Sequence, residues 1–87
     1  MLRLPGEIDF FTIDAVRDEI HAAVLRDGPD VIELDCSELT YIHREGIGML
    51  FGLRELFLRS VVLTGMNEDC RQRIRLMGLE GAFAFHA

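Results

Sequence analysis

The chain has 87 residues, a net charge of −6 and no lysine, and 49% of its residues are hydrophobic. Length and composition predict a single globular domain over residues 1–87 with one modest core. The negative charge argues against nucleic acid as a general partner. No apolar run reaches the ~18 residues of a membrane span, and the N-terminus lacks a signal-peptide core, so we expect a cytoplasmic protein without membrane insertion.

The charge is distributed unevenly along the chain. Residues 1–45 contain eleven acidic residues and four arginines, whereas residues 46–87 contain four acidic residues and five arginines. Two interpretations stay open: an acidic face that meets a basic partner, or acids that only solvate helix surfaces. The two cysteines, Cys36 and Cys70, have no metal-site spacing, and we expect buried free thiols.

The first half of the chain predicts a strand, a helix and a strand. Residues 2–4 form a short strand, and Thr12 is placed to cap a helix that begins at Ile13, where apolar residues recur at helical spacing. Gly28 ends that helix because glycine suits the left-handed C′ position. Residues 31–36 then have the β-branched, alternating composition of a strand.

The second half repeats this alternation. The pattern predicts a helix over about 44–58, a buried strand over 61–65 and a final strand over 82–85. Between the last two strands lies a helix that Asn67 caps and Gly78 follows. The order of elements predicts an α/β fold with a mostly parallel four-stranded sheet and about three helices.

The helix over 44–58 is apolar on more than one side. One broad side comprises Ile47, Leu50, Phe51, Leu53, Phe57 and Leu58. Met49 and Leu56 lie on the other side, near Gly48 and Gly52, where a surface helix is expected to be polar. Glycine in a helix costs about 1 kcal/mol relative to alanine, so both glycines need a reason. Two reasons stay open: close packing of the glycines on the sheet, or a partner that contacts Met49, Gly52 and Leu56.

The turn before this helix concentrates charge in the residues His43, Arg44, Glu45 and Gly46. An enzyme needs convergent groups of matched pKa in a pocket. His43 and Glu45 supply at most half of a general-base pair, and no nucleophile or phosphate-binding loop accompanies them. We therefore predict no enzymatic activity, no cofactor and no metal site, and we expect the turn to be a surface that another protein contacts.

Three segments, taken in order, resemble the STAS domain family, which includes bacterial anti-sigma factor antagonists. Residues 4–12 (LPGEIDFFT) resemble the family's G-E-[LI]-D turn. Residues 31–50 resemble its strand and D-S-[ST]-G-[LI]-G turn, and residues 61–83 resemble the next strand and a helix that ends in Gly-Leu. The resemblance implies a compact STAS-like fold in which the family's first strand and last helix have no counterpart here.

The resemblance also implies a function in the regulation of transcription. The partner would be an anti-sigma factor of the serine-kinase type, bound through Asp9, the turn over 43–46 and the helix face of Met49, Gly52 and Leu56. In phosphorylated antagonists the second residue of the turn is the acceptor serine. Arg44 stands at that position, so we expect no phosphorylation there.

Other functions stay open on the same residues. A STAS accessory or scaffold subunit of a transporter or signalling complex would use the same surface. A nucleotide or small ligand is disfavoured by the absence of lysine and of a phosphate loop. Without the family's first strand a sheet edge would be unpaired, which favours a homodimer.

Overall fold

Three helices and six short strands make up the computed structural model, which describes residues 1–87. The strands are Leu2–Arg3 (β1), Glu7–Ile8 (β2), Val31–Asp35 (β3), Tyr41–Ile42 (β4), Ser60–Thr64 (β5) and Ala84–His86 (β6). The helices are Ile13–Asp27 (α1), Arg44–Phe57 (α2) and Glu68–Leu76 (α3). A turn of 3-10 helix over Glu80–Ala82 precedes β6, so this strand begins two residues later than the sequence predicts.

Four strands form one parallel sheet in the order β1-β3-β5-β6. The pairing of β3 with β5 is the longest and runs from Val31 opposite Ser60 to Asp35 opposite Thr64. By contrast, β1 pairs with β3 only at Leu34 and Asp35. The predicted α/β class, with a mostly parallel four-stranded sheet and three helices, is confirmed.

A separate parallel pair, β2 with β4, was not predicted from the sequence. Glu7 lies opposite Tyr41, and Ile8 lies opposite Ile42. Both isoleucines are completely buried. Two-residue strands are too short to produce an alternating pattern, so nothing in the sequence distinguishes them from loops.

Most helix boundaries follow the predicted signals. Gly28 has φ 56° and donates its N–H to the Val24 carbonyl oxygen at 2.9 Å, which ends α1. The Asn67 side chain accepts a hydrogen bond from the Cys70 N–H at 2.8 Å and caps α3. Thr12 precedes α1 as predicted, but its side chain makes no capping hydrogen bond.

The end of α2 differs from the prediction. The helix ends at Phe57, and Leu58 adopts the left-handed conformation with φ 54°. Leu58 is 87% exposed, so the prediction that it shares one side of the helix with the buried residues Ile47, Leu50 and Leu53 is wrong. The left-handed residue turns the chain out of the helix before β5 begins, and its side chain no longer follows the helical periodicity.

One cluster of 18 buried residues forms the core. Each helix contributes residues at helical spacing, such as Val16, Ile20 and Val24 from α1. Cys36 and Cys70 belong to this cluster as free thiols. None of the helices has both the length and the apolar character required to span a lipid bilayer.

Candidate partner-binding surface

The strands β2 and β4 form a two-stranded sheet, which we call the small sheet, and the loops that follow them leave it at the same end. The two strands are parallel, so their carboxyl ends lie side by side. The His43 N–H donates to the Ile8 carbonyl oxygen at 3.0 Å, which places the residue after β4 directly against the end of β2. The fold thus brings the Asp9 loop and the turn over 43–46 together, although they are far apart in the sequence.

Hydrogen bonds fix the shape of the Asp9 loop. The Asp9 Oδ1 atom accepts from the N–H groups of Phe11 at 2.9 Å and Thr12 at 3.1 Å. The Thr12 hydroxyl donates to the Glu7 carbonyl oxygen at 3.0 Å and accepts from the Asp9 N–H at 2.9 Å. The Asp9 carboxylate therefore orders its own loop, and its direct contact with a partner stays a prediction.

This loop exposes two aromatic side chains that sequence reasoning missed. Phe10 is 82% exposed and Phe11 is 91% exposed. Their rings meet edge to face with centroids 6.3 Å apart. Adjacent exposed aromatic residues at the end of a strand are a typical feature of interaction surfaces. The signal was present in the sequence as two neighbouring phenylalanines between a strand and a helix cap.

His43 acts mainly as a structural cap of α2. Its Nδ1 atom accepts from the Gly46 N–H at 3.0 Å, and its carbonyl oxygen accepts from the Ile47 N–H at 3.1 Å. Its side chain is only 14% exposed, and Nε2 is buried without a hydrogen-bond partner. The Glu45 Oε2 atom lies 3.7 Å from Nε2, and the Glu45 side chain is 73% exposed. Of these two predicted contact residues, Glu45 is the accessible one.

Gly46 holds the start of α2 against the small sheet. A Cβ atom at this position would lie 2.8 Å from both Ile42 Cγ1 and Ile8 Cγ2. Real Cβ atoms do not approach other atoms so closely, so only glycine fits here without movement of the helix. Gly46 is buried and therefore shapes the surface rather than contacting a partner through a side chain.

The other predicted residues meet in a groove between α1 and α2. The α2 wall of this groove consists of Glu45, which belongs to the turn, and of Met49, Gly52 and Leu56. Met49 is half-buried and packs against the core, whereas Leu56 is 62% exposed. The α1 residues Ile13, Arg17 and His21 form the opposite wall. We call this the α1–α2 groove.

The two glycines of α2 beyond the first turn have open space beside them, and Gly52 lines the α1–α2 groove. A Cβ atom at Gly48 or Gly52 would meet no other atom within 4 Å. Close packing on the sheet therefore does not explain Gly48 or Gly52. Gly46 is the glycine of α2 that packs closely against strand residues. The remaining explanation from the sequence is that a partner approaches the helix backbone at Gly52, and this stays a prediction.

Arg44 lies on the other side of α2. It lines a second groove, between α2 and α3, together with Arg73 and the apolar residues Ile42, Ile47, Leu76 and Met77. We call this the α2–α3 groove. The turn over 43–46 thus separates two grooves, with Glu45 on one side and Arg44 on the other. The sequence alone grouped both residues on a single face.

The thiols do not provide a nucleophile at neutral pH. Burial raises the pKa of Cys36 to about 12, and burial also raises the pKa of Cys70. A thiol is reactive as the thiolate, so both cysteines are inert structural residues in this environment.

The surface described above offers shape, apolar contacts and charge, which are the requirements for binding a protein.

Comparison with known proteins identifies the family. The model of the STAS domain matches residues 1–87, so the chain belongs to the STAS domain family. A similar solved structure is that of the anti-sigma factor antagonist SpoIIAA in its unphosphorylated form. It has 20% sequence identity and a TM-score of 0.76, and the match covers 98% of this chain and 76% of that chain. At this identity the similarity shows the fold. No curated protein matches the sequence.

Proposed function

We propose that this chain is a non-enzymatic regulatory module that binds an anti-sigma factor of the serine-kinase type. The proposal draws the class of partner from the antagonist with the similar fold. It rests on one structural observation, the continuity of the Asp9 loop, the turn over 43–46 and the α1–α2 groove. Phe10 on the Asp9 loop and Leu56 in the groove supply exposed apolar contacts. Phe11 is exposed on the same loop but lines a separate concavity with Pro5 and Glu19.

The surface combines features that protein interfaces use. The half-buried Met49 in the groove and the exposed Phe10 on the neighbouring loop can anchor a partner, because large apolar side chains lose water on binding. The open backbone at Gly52 allows a partner helix or loop to approach α2 closely. Arg17 and Glu45 at the walls would fix orientation more than affinity.

The turn at the start of α2 would not be switched by phosphorylation. A phosphate at a helix N-terminus adds about −1.5 to −2 charge at pH 7 and meets free N–H groups. Arg44 has no hydroxyl group and places the opposite charge at this site. In our proposal the module is therefore constitutively able to bind, and its activity is set by supply of the protein.

Serine at position 44 is expected to make the turn phosphorylatable. Incubated with the serine-kinase partner and ATP, the Arg44→Ser variant should incorporate phosphate at position 44, whereas the native turn over 43–48 has no hydroxyl group and serves as the blank. Peptide mass spectrometry measures both. Phosphorylation would then weaken binding, because the added negative charge is desolvated in the interface.

Arg44→Ala is the matched control, since it removes the guanidinium without adding a hydroxyl group. A phosphorylated Arg44→Ser variant that binds the partner as tightly as its unphosphorylated form would contradict the proposal, because the turn would then lie outside the interface. An Arg44→Ser variant that binds the kinase but is never phosphorylated would show that more than the missing hydroxyl prevents modification of this turn.

We also propose that the chain forms a homodimer through the β3 edge. β1 covers β3 only at Leu34 and Asp35, so the outer edge from Val31 to Glu33 has no strand beside it. Unpaired edges favour the addition of a strand from another chain. Sedimentation equilibrium at high protein concentration should give the mass of a dimer, and Val31→Lys, which places a charge on the partly exposed edge, should give a monomer only. A native chain that stays monomeric at high concentration would contradict this proposal.

A further inference from the structure

Five of the nine arginines in this chain form ion pairs with carboxylates, but two arginines in the α2–α3 groove do not. Ion pairs at N–O distances of 3.0–3.8 Å involve Arg3, Arg17, Arg26, Arg71 and Arg75. The other four arginines form no ion pair, and two of them, Arg44 and Arg73, line the α2–α3 groove together. In a chain with 15 acidic residues and only nine arginines, two unpaired cations in one groove require an explanation.

The position of Arg44 opposes the stability of its own helix. It is the first residue of α2, and the N-terminus of a helix disfavours a positive charge. No carboxylate of the chain pairs with it to offset this effect. A residue that breaks a local rule without compensation in the fold indicates a function, and a negatively charged ligand would supply the missing partner.

Arg73 is held in place but keeps its hydrogen-bonding capacity. Its guanidinium lies over the Tyr41 ring, 4.8 Å from the ring centroid. Stacking on an aromatic face orders the guanidinium and leaves the N–H groups at its edge available. An ordered guanidinium loses less conformational freedom when it binds a carboxylate, so Arg73 is prepared for an anionic ligand.

The surface between these two arginines is apolar. Ile42 and Ile47 are buried beneath the α2–α3 groove, and Met77 and Leu76 line its α3 side. Leu76 is 76% exposed and offers apolar surface that a bound molecule would remove from water. The groove therefore combines two cations with an apolar contact, a pattern that fits an amphipathic peptide segment better than a small anion.

We propose that the α2–α3 groove binds an acidic segment of a protein partner. Two carboxylates of the segment pair with Arg44 and Arg73, and an apolar side chain between them covers Leu76 and Met77. This inference rests on the proposed function only in that the partner is a protein. It specifies that the part of the partner beside the turn carries carboxylates and an apolar side chain. Charge complementarity in a site with two cations would govern specificity and the rate of association.

A phage-displayed library of random linear peptides, selected against the immobilised full chain, tests this inference. The selected peptides should carry Asp or Glu next to an aliphatic or aromatic residue. For a synthetic peptide of that sequence, Arg44→Glu and Arg73→Glu should each weaken binding by about tenfold or more, because each removes a charge-assisted hydrogen bond. Added salt should weaken binding to the native chain.

Arg54→Glu is the matched control, since Arg54 is an exposed, unpaired arginine of the same helix outside the groove. It should leave the affinity unchanged. Circular dichroism and thermal melting confirm that each variant is folded, and Arg73→Gln provides a milder variant if charge reversal unfolds the chain. Selected peptides without acidic residues, or equal affinity for the native chain and Arg73→Glu, would overturn the proposal.

Met49→Asp separates this inference from the proposed function. Acidic peptides that bind Met49→Asp but not Arg73→Glu support the α2–α3 groove whether or not the partner is an anti-sigma factor. Peptides that bind Arg73→Glu but not Met49→Asp occupy the α1–α2 groove and overturn the assignment. Failure to capture an anti-sigma factor would leave the result of the peptide selection unaffected.

Discussion

Alanine at position 46 is expected to lower the free energy of unfolding by about 1–3 kcal/mol, the usual cost of overpacking a core. The added Cβ would lie 2.8 Å from Ile42 Cγ1 and Ile8 Cγ2. Both isoleucines are completely buried, and β-branched side chains have few alternative rotamers. The start of α2 would have to move away from the small sheet, so the turn that forms the binding surface would also lose its geometry.

The same helix provides the controls. Alanine at Gly48 or Gly52 meets no atom within 4 Å, so each change should raise the free energy of unfolding by up to about 1 kcal/mol through helix propensity. Urea unfolding of the three single variants measures all of these effects. A Gly46→Ala variant as stable as the native chain would contradict the close approach of α2 to Ile8 and Ile42. Equal losses at all three positions would contradict the openness of Gly48 and Gly52.

Met49→Asp is expected to weaken partner binding by at least about 30-fold, which corresponds to the ~2 kcal/mol of an interface hot spot. Met49 lines the α1–α2 groove between Glu45 and Gly52. A carboxylate there would be desolvated beneath a partner, next to the Glu45 carboxylate, and the groove's one arginine, Arg17, is already paired with Asp14 and Asp18. Equilibrium titration of the purified chain with the purified partner measures the effect.

Leu25→Asp controls for the loss of an apolar side chain on the surface. Leu25 is 77% exposed on α1 and does not line the α1–α2 groove, so this variant should bind as the native chain does. Because Met49 is only half-buried, its replacement should shift the melting temperature by no more than about 4–8 °C, the effect of ~1 kcal/mol in a domain of this size. Native affinity in a folded Met49→Asp variant would exclude the α1–α2 groove from the interface.

The sequence predicts the larger elements because their signals are local. β-branched and apolar residues mark β3 and β5, and Gly28 and Asn67 mark helix ends by their own conformational and hydrogen-bonding preferences. The pairing of β2 with β4 depends instead on contacts between residues far apart in the chain. Two residues per strand carry no periodic signal, so this pairing is visible only in the folded structure.

The location of the candidate site could be predicted from the sequence, but the packing of its individual residues could not. The turn over 43–46 stood out as charge at a strand–helix junction, the helix face of Met49, Gly52 and Leu56 stood out by its apolar pattern, and the family resemblance added Asp9. Which glycine is packed and which is open depends on Ile8, a residue outside the motif, so periodicity could not separate Gly46 from Gly52. The division of the turn between two grooves likewise depends on where α1 and α3 lie relative to α2.

The central claim, that the surface around Met49 binds an anti-sigma factor, is tested most directly by affinity capture from the cells in which the chain is native. The native chain serves as one bait and the folded Met49→Asp variant serves as the matched control. We predict a serine-kinase anti-sigma factor with the native bait and its loss with the control. Capture of a transporter or scaffold component by the native bait, or of this chain alone, would contradict the claim.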